Sequence, residues 1–309
     1  MNIILAEPRG FCAGVTRAIE IVERALVKYG APIYVRHEIV HNKFVVEDLR
    51  KKGAIFVEEI ADIPADSLVI FSAHGVSDQV ENAAKNKNLK IIDATCPLVS
   101  KVHREAKKYE EQDYEIILIG HKGHPEVEGT SGRVKKPVLL VSDEIEAQQV
   151  KINNPHKIAY VTQTTLSVDD TKKIVDVLED RFPEMQRGLA TKDICYATQN
   201  RQDAVKQLAK QVDLLLVLGS QNSSNSNRLR DLGAESIPSY LINGAFEINP
   251  NWLNGVKNIG ITAGASAPEI LVEEVIAKIK ELVGETVEVK GMNGIKENVQ
   301  FALPKEFRK

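Results

Sequence analysis

Apolar runs of strand length alternate with helix-period patterns along the whole chain, and this alternation constrains the fold more than any other feature of the sequence. It predicts an α/β architecture with mainly parallel sheets, because parallel neighbours need a crossover and the crossover is usually a helix. In open sheets of this kind the ligand crevice lies outside the carboxyl ends of the strands. The residues just beyond each apolar run are therefore the informative ones. Pro32–Arg36 leads to His41 and Asn42, and Ser67–Ala73 leads to His74 and Gly75. Glu115–Gly120 opens onto His121-Lys-Gly-His124-Pro-Glu126-Val-Glu128, and Lys157–Val161 onto Thr162-Gln-Thr-Thr165-Leu-Ser167. Asp213–Gly219 ends in Ser220-Gln-Asn-Ser223-Ser224-Asn225-Ser-Asn-Arg228, and Asn258–Ile261 in Thr262-Ala-Gly-Ala-Ser266-Ala-Pro268.

The three cysteines, Cys12, Cys96 and Cys195, occupy the same kind of place, where a strand-like or polar stretch gives way to a helical pattern. The positive end of a helix macrodipole favours the thiolate, which is the metal-binding form. A lone cysteine is commonly just a small buried hydrophobe; the repeated context argues for more. The long separations exclude the C-x-x-C spacing of a zinc finger or redox dithiol. Grouped in order, each third of the chain carries one cysteine and two polar strand ends: Cys12, His41, His74; Cys96, His124, Thr165; Cys195, Ser223, Ser266. The expected organisation is three similar α/β domains, residues 1–96, 97–193 and 194–284, with a tail from 285 to 309 that packs across them.

Bulk properties narrow the function. A chain of 309 residues with net charge −3 and 43% hydrophobic residues can bury sizeable cores. Its balance of charge offers no footprint for nucleic acid, and no apolar stretch reaches the length of a membrane span. The N-terminus lacks the basic and apolar regions of a signal peptide. Three widely spaced cysteines then fit a reducing cytoplasm better than a disulfide scaffold.

Three thiolates leave a metal site one protein ligand short, the arrangement of a reactive centre, since structural zinc and iron–sulfur sites are normally closed by four. A cubane iron–sulfur cluster and a three-cysteine zinc site both satisfy this pattern. The Ser/Asn run 223–228 offers hydroxyls, amides and backbone N–H groups to phosphate oxygens, although such a run is also an ordinary capped turn. His41, His74 and His124 can donate hydrogen bonds to a diphosphate, whereas His37, His103, His121 and His156 share no such pattern. Glu126 is the candidate proton donor, with Glu128 its rival, and Thr165 a candidate to orient the proton. No G-x-G-x-x-G follows a strand and no P-loop is present, so electrons for redox chemistry must come from a separate carrier. Two other readings stand: a zinc hydrolase or deaminase using His124-x-Glu126, which lacks the second cysteine of P-C-x-x-C, and a non-catalytic iron–sulfur sensor, for which an anion clamp has no purpose.

Taken together, Pro8-Arg-Gly-Phe-Cys12-Ala-Gly, Val40-His41-Asn42, Ser72-Ala-His74-Gly75, Asp93-Ala-Thr-Cys96-Pro, Gly120-His-Lys-Gly-His124-Pro-Glu126, Thr162-Gln-Thr-Thr165, Ile194-Cys195-Tyr-Ala-Thr, Gly219-Ser-Gln-Asn-Ser223-Ser-Asn225 and Thr262-Ala-Gly-Ala-Ser266 resemble the 4-hydroxy-3-methylbut-2-enyl diphosphate reductase family. The resemblance runs from about residue 1 to 303. It implies a trefoil of three domains around one 4Fe–4S cluster held by Cys12, Cys96 and Cys195, with one iron unligated by protein and open to oxygen, so that loss of iron or of the cluster in air is expected. It implies diphosphate binding by His41, His74, His124, Ser223, Ser224, Asn225 and Ser266, with Thr165 and Glu126 beside the substrate hydroxyl. The implied reaction is a two-electron, two-proton reductive dehydroxylation to isopentenyl and dimethylallyl diphosphate, fed by ferredoxin or flavodoxin.

Overall fold

A computed structural model describes residues 1–186, 193–284 and 287–308. In chain order, β1 (Asn2–Leu5) is followed by α1 (Ala13–Tyr29), β2 (Ile33–Arg36), α2 (Lys43–Lys51), β3 (Ala54–Val57), β4 (Leu68–Phe71), α3 (Asp78–Asn86), β5 (Lys90–Asp93) and α4 (Pro97–Glu111). Then come β6 (Glu115–Ile119), α5 (Pro125–Ser131), β7 (Leu139–Val141), α6 (Glu144–Gln149), β8 (Ile158–Thr162) and α7 (Val168–Arg181). The last third holds α8 (Tyr196–Leu208), β9 (Leu214–Leu218), α9 (Ser224–Ala234), β10 (Ser239–Ile242), β11 (Asn258–Ala263), α10 (Glu269–Val283) and β12 (Glu288–Gly291). No helix among the described residues is long and apolar enough to cross a membrane.

The strands form three sheets, β3-β2-β4-β5, β7-β6-β8 and β10-β9-β11-β1-β12, and their pairings are parallel. The α/β expectation is met. By packing, the chain divides into two compact units. The first comprises Met1–Thr16, His41–Asp48 and Tyr196–Gln300; the second comprises Arg17–Val40, Leu49–Cys195 and Phe301–Lys309.

In the first unit the five-stranded sheet is covered on both faces, as a doubly wound sheet must be. Leu214, Leu216 and Leu218 pack with Ile259, Ile261 and the α10 residues Val272, Val275 and Ile279. The intervening Leu215 and Val217 face Val205 and Leu208 of α8 and Leu229 of α9. The unbroken apolar run of β9 is the mark of a strand buried on both sides. In the second unit, Val69 and Phe71 of β4 pack with Ala84 and Leu89, and Ile117, Ile119 and Tyr160 with Ile174 and Leu178 of α7.

Two elements depart from the expected thirds. Strand β1 does not join β2–β5; it lies between β11 and β12, in register Ile3↔Ile259 and Ile3↔Val289. The reason is burial: Ile3 belongs to the apolar layer of Leu214, Leu216 and Ile261. The stretch expected to be an aperiodic tail contains β12, whose Glu-Val-Lys-Gly sequence has one apolar side chain and whose strand form comes from edge pairing to β1. Residues 187–192, at the expected second boundary, and 285–286, at the start of the expected tail, lie outside the described residues.

Candidate functional site

The first unit brings four polar strand ends together. The loop from β1 to α1 ends in Cys12, whose N–H donates to Ala265 O at 3.2 Å, and Gly10 N–H donates to Ala263 O at 3.0 Å. Gly10 has φ +67, and a Cβ there would lie 3.2 Å from Ala267 O, so glycine is required at this turn. The loop after β11 also carries Ser266, whose hydroxyl donates to His41 O at 2.9 Å. Asn42 caps α2 by accepting from Val45 N–H at 3.1 Å, and Lys43 N–H donates to Ser220 Oγ in the loop after β9 at 3.0 Å. His41 is thus held by its backbone between the β9 and β11 loops.

At the start of α9, Ser223 Oγ accepts from Ser226 N–H at 3.3 Å, the ordinary N-cap bond. Asn225 is different. It is 3% exposed, and neither its Oδ1 nor its Nδ2 has a hydrogen-bond partner among the described residues. A buried amide without partners costs about 1–3 kcal/mol, so Asn225 is placed to take hydrogen bonds from a bound group. The helix N-terminus beside it presents backbone N–H groups suited to an anion.

In the second unit, Cys96 is the N-cap residue of α4, followed by Pro97 at the first helical position, and its side chain makes no capping bond. Ser77, Asp143 and Ser167 cap α3, α6 and α7 through their side-chain oxygens; the thiol at α4 is held out of that role. Its loop is fixed by the backbone instead. Cys96 N–H donates to Ala73 O at 2.9 Å, and Arg17 Nη1 donates to Ala94 O at 3.2 Å and Thr95 O at 3.0 Å. Burial depresses the Arg17 pKa, partly offset by the charges of Asp93 and Cys96.

His74 follows β4, with Ser72 Oγ 3.3 Å from its Nδ1. Its ring stands edge-on to those of His37 and His124, at centroid distances of 5.8 and 6.1 Å. His37, unremarkable in sequence, is therefore part of this row; its φ of 62 turns it out of the β2 line, and Nδ1 meets the Glu58 carboxylate at 2.8 Å. Behind the turn sits His103 of α4, against which a Cβ on Gly75 would lie 2.6 Å from Cε1.

Burial, then the charges of Arg133 and Lys107, push the His103 pKa from 6.5 down to about 4, with Asp78 opposing and Arg104 adding slightly. The unfolded chain therefore binds the extra proton between pH 6.5 and about 4, so stability is complete above 6.5 and falls as pH drops. The contribution is on the order of 3 kcal/mol. His103→Phe, which cannot titrate, is expected to flatten that limb of the denaturant midpoint against pH. An unchanged slope would mean that His103 takes up its proton as readily in the fold as in the unfolded chain.

The ends of β6 and β8 meet at Glu126. His124 caps α5 by accepting from Glu126 N–H at 3.2 Å. The Glu126 carboxylate, 6% exposed, accepts from Thr164 N–H at 2.9 Å and from Thr164 Oγ1 at 2.9 and 3.0 Å. The same Thr164 accepts through its carbonyl from Cys195 N–H at 3.0 Å. One residue thus ties the acid to the third cysteine. The expectation placed Thr165, with Glu126, beside the substrate hydroxyl; the Thr165 hydroxyl accepts from Gln163 Nε2 at 2.8 Å. Both threonines lie in the turn that follows β8, and of the two it is Thr164 whose hydroxyl meets the acid.

The approach to Cys195 is set by Asp193, whose side chain is fully buried and pairs with Lys101 at 3.2 Å while accepting from Thr162 N–H at 3.3 Å. Burial, then the Asp193 charge, raise the Glu105 carboxyl pKa. Sequence reasoning passes over Thr164, His37, Arg17 and Asp193. Only Asp193, two residues from a cysteine in Asp-Ile-Cys, carries a local signal.

The sequence matches the model of the family described as LytB protein over residues 3–280. It is 58% identical over 314 residues to the 4-hydroxy-3-methylbut-2-enyl diphosphate reductase of Marinobacter nauticus, covering 100% of this chain and 98% of that protein. A protein of the same name from an Azoarcus species is 56% identical over 308 residues, covering 99% of this chain and 98% of the relative. Among solved structures, the E-1-hydroxy-2-methyl-but-2-enyl-4-diphosphate reductase from Plasmodium falciparum is similar with a TM-score of 0.93 and 39% identity, over 99% of this chain and 96% of that one. The family model spans all three cysteines and every strand-end motif described above, and the relatives are matched over nearly their whole length: the chain belongs to the LytB protein family.

Proposed function

We propose that the chain is a 4-hydroxy-3-methylbut-2-enyl diphosphate reductase. The reaction breaks the allylic C–O bond with two electrons and two protons, releasing water and giving isopentenyl and dimethylallyl diphosphate. The observation that carries this reading is the donor set: three cysteines outside any disulfide, each partly exposed, each heading a helix, and a capping position left to a thiol that does not cap. Such a set fits a 4Fe–4S cluster held by Cys12, Cys96 and Cys195 with one iron unclaimed by protein. Bound there, the cluster supplies electrons one at a time and a Lewis-acidic iron, the electrons arriving from a ferredoxin- or flavodoxin-type donor.

The protein's own residues bind and deliver protons. His41, His74, His124, Ser223, Ser224, Asn225 and Ser266 hold the diphosphate, the Asn225 Nδ2 donating to that anion. Glu126 stores a proton in a buried carboxyl, and the Thr164 hydroxyl, in reach of both its oxygens, passes it to the departing hydroxyl. The second proton goes to carbon. Burial of His41, His74, Glu126, Thr164, Ser223, Asn225 and Ser266 limits bulk water, which strengthens their bonds.

Iron and acid-labile sulfide per chain, measured on protein purified without air, test this first. About four of each are expected, as in a cubane cluster, together with diphosphate-substrate turnover on supply of a low-potential reductant. Stoichiometric zinc without sulfide would overturn the reductase and return the His124-x-Glu126 hydrolase to the front.

A further inference from the structure

Outside the residues assigned above, Arg201 on α8 is a heavily bonded side chain of the first unit. Its side chain is fully buried. Nε and Nη2 donate to Gly10 O at 3.1 and 2.7 Å, Nη2 reaches Phe11 O at 3.5 Å, and Nη1 donates to Ala197 O at 2.9 Å. Glu297 faces the guanidinium with both oxygens, at 3.0 Å from Nη1 and 3.2 Å from Nη2, and accepts from Asn200 Nδ2 at 2.9 Å. Taking a guanidinium and a carboxylate out of water costs several kcal/mol per ion unless geometry and further hydrogen bonds repay it. An apolar side chain would fill the same volume more cheaply. What the pair supplies that an apolar residue cannot is a grip on two successive carbonyls directly ahead of Cys12.

The rest of the cysteine's backbone is already committed. Cys12 N–H bonds Ala265 O, Cys12 O accepts from Thr16 N–H at 3.0 Å, and Ala13 N–H donates to Tyr196 OH at 3.3 Å. The segment bearing Glu297 runs beside the same loop: Met292 N–H donates to Leu5 O at 2.9 Å, and a Cβ on Gly294 would lie 2.0 Å from Glu7 O. We infer that the fully buried Arg201 and the partly buried Glu297 form a charge-neutral clamp that positions Cys12 for metal binding. Arg201 and Glu297 are positioning residues, acting through the Gly10 and Phe11 carbonyls. The inference rests on the reading of Cys12 as a cluster ligand.

The test compares Arg201→Lys, Glu297→Gln and Glu297→Asp with the unaltered chain and with Leu208→Ala, a core change on the same helix that removes none of the bonds to the Gly10 and Phe11 carbonyls. Lysine cannot reproduce the fork of donors, and glutamine leaves the guanidinium uncompensated. After anaerobic reconstitution, the readouts are iron and sulfide content, cluster lifetime against an iron chelator, reduction potential, and melting temperature of the metal-free protein. Arg201→Lys and Glu297→Gln are expected to shorten the cluster lifetime by about 10–100-fold, the usual effect of losing a residue that orients a metal ligand. Glu297→Gln is also expected to shift the potential upward, because the unpaired cation stabilises the reduced cluster, and Glu297→Asp to restore both readouts. If Leu208→Ala shortens the lifetime as much at equal melting temperature, or if the Glu297→Gln potential and lifetime match the unaltered chain, the clamp is only structural and the inference fails alone. If the unaltered chain itself takes up no iron and sulfide, the functional reading fails, and this inference with it.

Discussion

Glu126→Gln is expected to lower turnover by about 10²–10⁴-fold, the range supplied by a positioned proton donor, while substrate binding stays close to that of the unaltered chain. The carboxamide keeps the shape and still accepts the Thr164 N–H, so the β8 loop, and the Cys195 N–H bonded to Thr164 O, have no reason to move. What it cannot do is give up a proton. Thr164→Val is expected to lose turnover as well, since it removes the hydroxyl that meets both carboxylate oxygens and preserves the β-branched shape. Thr165→Val, which removes the hydroxyl that accepts from Gln163 Nε2, is the comparison that separates the two threonines. Single-turnover rates under anaerobic conditions, with substrate affinity measured separately, decide the matter. Full activity in Thr164→Val with loss in Thr165→Val would reverse the assignment; loss of binding in Glu126→Gln would make Glu126 a binding group.

That contrast shows how far the sequence could be read. Strand ends were legible because each buried run stops abruptly at Gly, Ser, Thr or His, and parallel sheets place such ends on one edge. The three cysteines were legible by repetition of context. Choosing between Thr164 and Thr165 was not, because both threonines follow the same strand and only the direction of the side chains separates them. Membership of β1 was hidden for another reason. Four residues, Asn-Ile-Ile-Leu, state that a strand exists but not which edge it completes, and its partners β11 and β12 begin at residues 258 and 288. Strand β12 had no apolar pattern to read, since its stability comes from the edge it occupies. His37 and Arg201 were invisible in the same way, their environments being assembled from distant residues such as His74 and Glu297.

Gly219→Ala is expected to disable the diphosphate end of the site without touching a binding residue. A Cβ at 219 would lie 2.1 Å from Ser226 Oγ and 2.5 Å from Ser226 Cβ; at Gly264 the same atoms would be at 2.1 and 3.2 Å, with Asn225 Nδ2 at 3.4 Å. The two glycines close on the first turn of α9 from the ends of β9 and β11. Ser226 is fully buried and its Oγ meets Ser223 Oγ at 3.0 Å, so it cannot swing aside. The added methyl must push the turn, and Ser223, Ser224 and Asn225 move with it. Overpacking of this kind costs about 1–3 kcal/mol, and affinity for inorganic diphosphate should fall alongside stability. The two sites differ in what relieves them. Ser226→Ala removes the Oγ clash at both, but leaves the Cβ at 2.5 Å from the new methyl at 219 and at a tolerable 3.2 Å from that at 264. Double-mutant cycles should therefore show Ser226→Ala rescuing Gly264→Ala, with a coupling of about 0.5–3 kcal/mol, and failing to rescue Gly219→Ala. Equal rescue at both positions would mean that α9 yields without cost, and that its first turn is not wedged between the two strands.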